Sequence, residues 1–571
     1  MKTVYIIFVV LFSMGIQDIV SQDEDSDVYS GTDAAARTTV TSQKISTMPQ
    51  SKDSVMEIPK LQYYLEPVQY NVSFEVQQIK PARLKIIEPL DKLYSGYVKA
   101  AIGMYTTTYL EGYYNSTRSK KRAWGVNMLH HSSLGNIKGL GVNKFNDNYL
   151  GGYYKHFFKD RTLKASLNYD RNSFHYYGFD ATNPLIPSVY KETADTIKQV
   201  YDLVSFHTEL KSMLKDSAKL NHHLELDYNF LNGLAKTNEH NLKIGANLFK
   251  YMDKEEIGAE VMLDFNGLEQ NIPSMISDSI GDSLLSTSTN NTIFKLTPYI
   301  FSRGNNWSVK AGLGIYANIG TVAKFHFYPC LEANYSLFND IFIPYIGMTG
   351  GIKRNTFNSM RLENSFILEN ASIQNTNQKL KIYGGIRGSV SSTISFNLAI
   401  GHEEIEGMPI FGIDSTYSYG NKFTVLYDTL SRTTISGQLA YQKLEKLKLY
   451  GKGEYFVYGS DFVWHRPDFK LTLSGTYDLV DKILVRANIF VVGNRKTYSF
   501  NVIEGIEPQE NGKYIYNLKP FLDANLGFEY RYNKKLSAFI NFNNFAGKKY
   551  YQWTAYPVQG FNLLGGVTLA F

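Results

Sequence analysis

The chain of 571 residues holds 43 Tyr, 35 Phe and 44 Gly against 16 Pro and a single Cys, which suits a long meander of strands better than a series of soluble domains. Its formal charge of +6 is spread along the sequence without a sustained basic block, so a nucleic-acid partner has no electrostatic footprint. Cys330 stands alone and far from the N-terminus, which excludes both an intrachain disulfide and the lipidated cysteine of a lipoprotein.

Residues 1–21 read as an export signal: Met1 and Lys2, an apolar run from Val4 to Phe12, and a cleavage point after Ser21. A helical anchor would need about 20 sustained apolar residues, and no later stretch reaches that. A membrane protein without a spanning helix has to be a closed barrel, because lipid cannot satisfy an open sheet edge. Residues 22–58 are acidic at first, then Ser/Thr-rich and without periodicity, and read as a disordered periplasmic segment. Residues 59–94, punctuated by Pro59, Pro67, Pro81 and Pro89, read as an extended strap at a barrel mouth.

The stretch 95–571 reads as strand, turn, strand. In LELDYNF, Leu224, Leu226, Tyr228 and Phe230 share one face while Glu225, Asp227 and Asn229 share the other. In LDANLGFEYRY, the polar side carries Asp523, Asn525, Glu529 and Arg531. A charge on the lipid face at the midplane costs about 2 to 4 kcal/mol, so the polar sides are expected to line the lumen. Short connections such as 119–121, 159–161, 304–306, 444–446 and 533–535 alternate with longer ones near 132–145, 180–198, 267–290, 355–377, 404–421 and 494–513. Short periplasmic turns and long external loops are the expected asymmetry. Reading Phe423 to Gln442 as one long strand brings the count to about 22, an even number with both ends periplasmic.

The last stretch, GFNLLGGVTLAF, places Phe561, Leu563, Val567, Leu569 and Phe571 on one face and Asn562, Gly566, Thr568 and Ala570 on the other, with Leu564 the apolar exception. It is expected to close the barrel and to be read by the barrel-insertion machinery.

The tail from KLSAFINFNNFAGKKYYQW to the terminus resembles the C-terminal end of TonB-dependent receptor barrels, and Trp464-His465-Arg466-Pro467 with the following LTLSGTYDLVDKILVRANI resembles barrel segments of the Bacteroidota members. The resemblance implies a 22-stranded outer-membrane barrel. It also implies an N-terminal plug, whose strand pattern is missing from residues 22–94. An unfilled lumen of this width would leak, so the leader, inward loops or another protein should fill it.

Residues with a chemical reading are few. His130-His131 and His222-His223 are adjacent pairs that point to opposite faces on a strand, so neither pair chelates one metal. His402-Glu403-Glu404-Ile405-Glu406 reads as a solvated loop edge with a cation site as the sharper alternative, and Trp464 to Arg466 as an interfacial aromatic beside a loop ion pair. No catalytic grouping, metal site or cofactor motif is expected, and Gly451-Lys452-Gly453 lies in strand pattern rather than before a helix. The first functional reading is therefore a plug-less scaffold subunit of an envelope complex. Its expected partners are outer-membrane lipid or lipopolysaccharide and a periplasmic or outer-membrane protein met through the leader. The alternative is a transporter or channel, its plug supplied by the leader or a partner chain.

Overall fold

The computed structural model describes residues 93–571 apart from 136, 138–139, 180–196, 213, 215–218, 254, 273–284, 321, 445, 501–505 and 508–511. The expected signal, disordered segment and all but the end of the strap thus lie outside the described residues. From Gly96 to Ala570 the chain forms a 22-stranded sheet in which each barrel strand pairs antiparallel with the next. The first strand, Gly96–Gly103, pairs with the last, Asn562–Ala570, in the register Tyr97↔Ala570 to Gly103↔Leu564. Gly96 and Phe571 exchange two backbone hydrogen bonds of 2.9 Å at that seam. The ring is closed, so the sheet has no outer edge strand to satisfy in lipid.

Two faces follow from the period of two. Outside, Leu150, Leu167, Ile300, Leu313, Leu398 and Leu439 are all exposed. Nearer the short turns, Tyr114, Trp124, Tyr154, Trp307, Tyr477 and Tyr530 form a ring of exposed aromatics, the position of an interfacial girdle. Inside, charged residues meet across strands: Lys295 and Lys310 lie 2.8 and 3.1 Å from the Glu260 carboxylate, and Arg432 lies 2.6 Å from Glu403. Among the described residues no helix is long and apolar enough to cross a membrane, which leaves the strands as the crossing elements.

Connections on the side of the two termini are short, for example 158–160, 304–306, 392–393 and 480–482. On the other side they run long: 134–144, 176–197, 354–375, 459–468, 493–520 and 544–561. Phe423–Lys443 is one strand through Leu430-Ser431-Arg432, as the even count requires. Two long connections, 459–468 and 544–561, are missing from the sequence reading. They are rich in apolar and aromatic residues, the composition of packed loops rather than solvated ones.

The acidic cluster corrects another expectation. His402 to Glu406 lies inside the strand Ile394–Ile413, where alternation splits the residues between faces. Glu403 is buried inward on Arg432, while His402 is bonded to Thr433 Oγ1 at 2.8 Å on the exposed side.

Ile435 and Ser436 are neighbours on one mid-wall strand, the first exposed outward and the second opposite Glu454 within the sheet. Ile435→Arg should lower the stability of the inserted barrel by about 2 to 4 kcal/mol, and Ser436→Arg should be near neutral. Urea unfolding from lipid vesicles, followed by heat-dependent gel mobility, measures both.

Candidate functional site

The long loops turn inward and build an aromatic core across the mouth. Tyr201, Leu231, Phe357, Ile367, Phe411, Phe423, Trp464, Tyr498 and Tyr556 are buried together in one cluster. Its members come from strands on opposite sides of the ring. The strands Lys198–Ser212 and Phe423–Lys443 are the sixth and sixteenth of the barrel, yet Asn421 Nδ2 beside the second donates to the Tyr176 carbonyl beside the first at 3.0 Å. Burial of these rings supplies the attraction, and hydrogen bonds from otherwise unmatched loop polar groups fix the geometry.

Loop 354–375 is the centrepiece. Its short helix α1 (Phe357–Glu363) opens with a capping box between Thr356 and Ser359, each side chain accepting the other's backbone N–H at 2.9 Å. Two further free N–H groups of that first turn, on Phe357 and Asn358, donate to the buried Glu239 carboxylate of the barrel wall at 2.7 and 2.9 Å. A carboxylate suits those donors because the helix start carries partial positive charge. At the entrance to the loop Arg354 Nε donates to Asp264 Oδ1 at 3.1 Å. At its far end Thr237 Oγ1 donates to the Glu369 carbonyl at 3.0 Å and Gln270 Nε2 to that of Ala371 at 3.0 Å. The Glu369 carboxylate receives Lys422 Nζ at 2.8 Å, and Lys422 also sits 4.3 Å above the Tyr176 ring.

The remaining loops lock onto this one. Phe366 stacks on Tyr556, with ring centroids 3.5 Å apart and planes tilted by 15°. Arg495 from the hairpin Arg495–Ser499/Tyr514–Leu518 donates to the carbonyls of Gln552 and Tyr551 at 2.6 and 3.0 Å. The tetrad Trp464-His465-Arg466-Pro467 is placed differently from the sequence expectation. Trp464 is buried 5.1 Å from the Tyr498 ring rather than at a lipid interface, while Arg466 does form a loop ion pair, with Glu363. The apolar signal in the tetrad marks a core, which alternation alone could not distinguish from an interface.

His465 sits at the centre of that core. Its Nδ1–H donates to the Phe411 carbonyl at 2.9 Å, leaving Nε2 to accept from Thr554 Oγ1 at 2.8 Å. Burial favours the neutral ring and pushes its pKa down to about 3.

The sequence-derived inner residues meet partners within the wall or beneath the loops. Asp227 lies 2.5 Å from His207 and 4.0 Å from Lys243, and Glu225 lies 3.1 Å from His223. Asp523 accepts from the Tyr550 hydroxyl at 2.6 Å, and Asn525 Oδ1 from the Asn544 N–H at 3.0 Å. Glu529 pairs with Arg486 at 3.0 Å and Arg531 with Asp478 at 2.6 Å. Of the terminal-strand residues, Val567, Leu569 and Phe571 are exposed, Phe561 lies 6.2 Å from the Phe542 ring, and Leu563 pairs with Phe542. Leu564 packs with Ala101, Tyr109 and Phe539. Of the histidine pairs, His130 bonds Asn148 Oδ1 while His131 packs on Tyr109 and Phe145. The signal missed in the sequence was Glu239 with its distant helix, because a carboxylate in a strand announces no partner more than a hundred positions away.

Since the unfolded His465 ring titrates near 6.5 and the folded one near 3, the opened loops bind the extra proton between those values. The loop layer should hold fully above about pH 6.5 and loosen progressively as pH falls toward 3. Hydrogen exchange of amides 459–468 and 495–499 should show this, and His465→Asn should flatten the dependence.

No family model matches the chain, and no curated protein matches it in sequence. Solved structures do match its fold. The siderophore receptor PirA of Acinetobacter baumannii aligns with a TM-score of 0.62 at 10% identity, over 85% of this chain and 81% of that one. The pyoverdine outer membrane receptor FpvA of Pseudomonas aeruginosa, bound to pyoverdine, gives 0.61 at 12% identity over 85% and 79%. The ferric-catecholate import receptor Fiu of E. coli gives 0.58 at 12% identity over 84% and 82%. At these identities the fold is what is shared, and this chain has the fold of an outer-membrane receptor barrel.

Proposed function

We propose that this chain is a transporter-type barrel of the outer membrane that admits a solute through a lumen shut at its outer mouth by its own loops. The observation that carries the reading is a closed ring with an apolar outer wall and charged inner wall, spanned at one end by a loop layer that nothing in the wall requires for closure. TonB-energised uptake, with the plug supplied by residues 22–94 or by a partner chain, is the form it takes. Small iron chelates are the first solute class to test, because the receptors of like fold are named for siderophores. On this reading Glu225, Asp227, Asp523, Asn525, Glu529 and Arg531 line the aqueous space. The strand carrying Phe561, Leu563, Val567, Leu569 and Phe571 is the signal for insertion, and residues 1–21 are cleaved on export.

The scaffold role is the second reading, since an interlocked loop layer also suits a barrel that passes nothing. Replacing 357–373 by a short Gly/Ser link separates the two. A transporter so altered should show raised conductance in planar bilayers, and the intact protein should support energy-dependent uptake of a ferric chelate by cells. A scaffold should support no such uptake even where excision raises its conductance, and should be recovered from native membranes with a stoichiometric partner.

A further inference from the structure

One sector of the wall departs from the regular ladder. Strand Ala323–Tyr335 pairs with Trp307–Ile319 along its whole length, but with Ile343–Lys353 only from Leu331↔Met348 to Asn334↔Tyr345. Pairing stops next to Pro329 and Cys330. Directly beyond, the register shifts at Thr349/Gly351, at Gln378/Leu380 and at Ile405/Met408. These positions pair with one another, Gly351↔Gln378 and Gln378↔Ile405, so the three register shifts lie in one row and arise from two bulged strands, with an extra residue at Lys379 on strand 376–391 and another at 406–407 on strand 394–413. Bulges bend a strand and sharpen its twist, and Gly407 on this row adopts a φ of +73°, which an L side chain rarely tolerates.

Past the row the wall turns into the mouth. Residues 408–413 are all buried, although a half-exposed wall strand should alternate. Gly350 lies under the Tyr328 ring, where a Cβ would come within 2.6 Å of Cδ1. Tyr328 reaches across strand Ile343–Lys353 to donate to Asn377 Oδ1 at 2.6 Å. The turned-in sector carries loop 354–375, and its hold on the wall beyond is made of side-chain latches: Glu239 on α1, Asp264 on Arg354, Thr237 and Gln270 on loop carbonyls. Among the described residues, Asn358 Oδ1, Arg361 Nε and Asn364 Nδ2 of the same loop are buried without a protein hydrogen-bond partner.

We propose that the upper parts of strands 343–353, 376–391 and 394–413, together with loop 354–375, form a hinged flap of barrel wall that swings about the bulge row to open the lumen. The hinge deepens the solute-route reading above and rests on it for its purpose, though not for its geometry. The opening breaks latches and the Tyr328 strap but no ladder between the flap strands, and it carries with it the upper end of strand 423–443, which stays paired from Met408↔Asp428 to Ile413↔Phe423 and bonded to the loop through Phe423.

Spin-label distances on the full-length protein in vesicles, in a Cys330→Ser background, test it. One label pair spans lid and far rim, Leu362→Cys with Leu234→Cys. The other spans the seam above the hinge row, Lys353→Cys with Phe325→Cys; all four sites are exposed. Glu239→Ala combined with Arg354→Ala, or Tyr328→Ala alone, should convert most of the short-distance population to a longer one for both pairs, with conductance rising several-fold. A lid distance that lengthens while the seam distance stays fixed would mean that the loop moves alone and there is no hinge. Unchanged distances at both pairs in a heat-modifiable, folded barrel would also overturn it. If excision of 357–373 leaves conductance unchanged, the solute route falls, and the seam pair still decides the hinge.

Discussion

Everything in this molecule follows from the demand that no backbone N–H or C=O be left unpaired against hydrocarbon. The demand is met by joining Gly96–Gly103 to Asn562–Ala570, and the join dictates the even number of strands and the placement of both ends beside the short turns. Lys99 shows how closely this seam is packed: its ammonium lies over the rings of Tyr109 and Phe539 at 5.2 and 4.7 Å, so a cation is accommodated on the inner face by aromatic surface.

A ring of this circumference creates a second demand, because side chains alone cannot fill its interior. At the mouth on the side of the long loops the fold answers with a second hydrophobic core. The core is organised by polar contacts that the wall supplies and the loops receive. Glu239 is the clearest case, a buried carboxylate whose hydrogen-bond partners are two helix N–H groups and the Asn266 amide. Its burial would be costly alone and is partly offset by those donors. The charge complement of the lumen wall is thus partly a docking template for the chain's own loops.

The barrel was legible in the sequence because alternation is local: Leu226 and Glu225 declare their faces by parity, and a turn such as Gly304-Asn305-Asn306 declares itself by composition. The mouth was much less so. Trp464 and Tyr556 carry no periodicity, and a loop aromatic looks the same whether it meets lipid, water or another loop. The displacement of His402 to Glu406 from a loop edge into a strand has the same origin, since a run of acidic residues suggests solvent while one of them, Glu403, has its cation on the adjacent strand. The bulge row was invisible for a further reason. A register shift is a relation between two strands, and neither strand's own sequence records it.

The four tryptophans of the chain fall into two pairs with different surroundings. Trp124 and Trp307 are exposed on the outer wall near the short turns, and Trp464 and Trp553 belong to the loop core, the latter 5.3 Å from the His465 ring and 5.7 Å from Phe423. Intrinsic fluorescence therefore carries two separable signals. Quenchers dissolved in the bilayer address the first pair, and the second responds to the packing of the mouth. The protein thus comes with built-in reporters that distinguish insertion of the wall from closure of its loops, without any label being added.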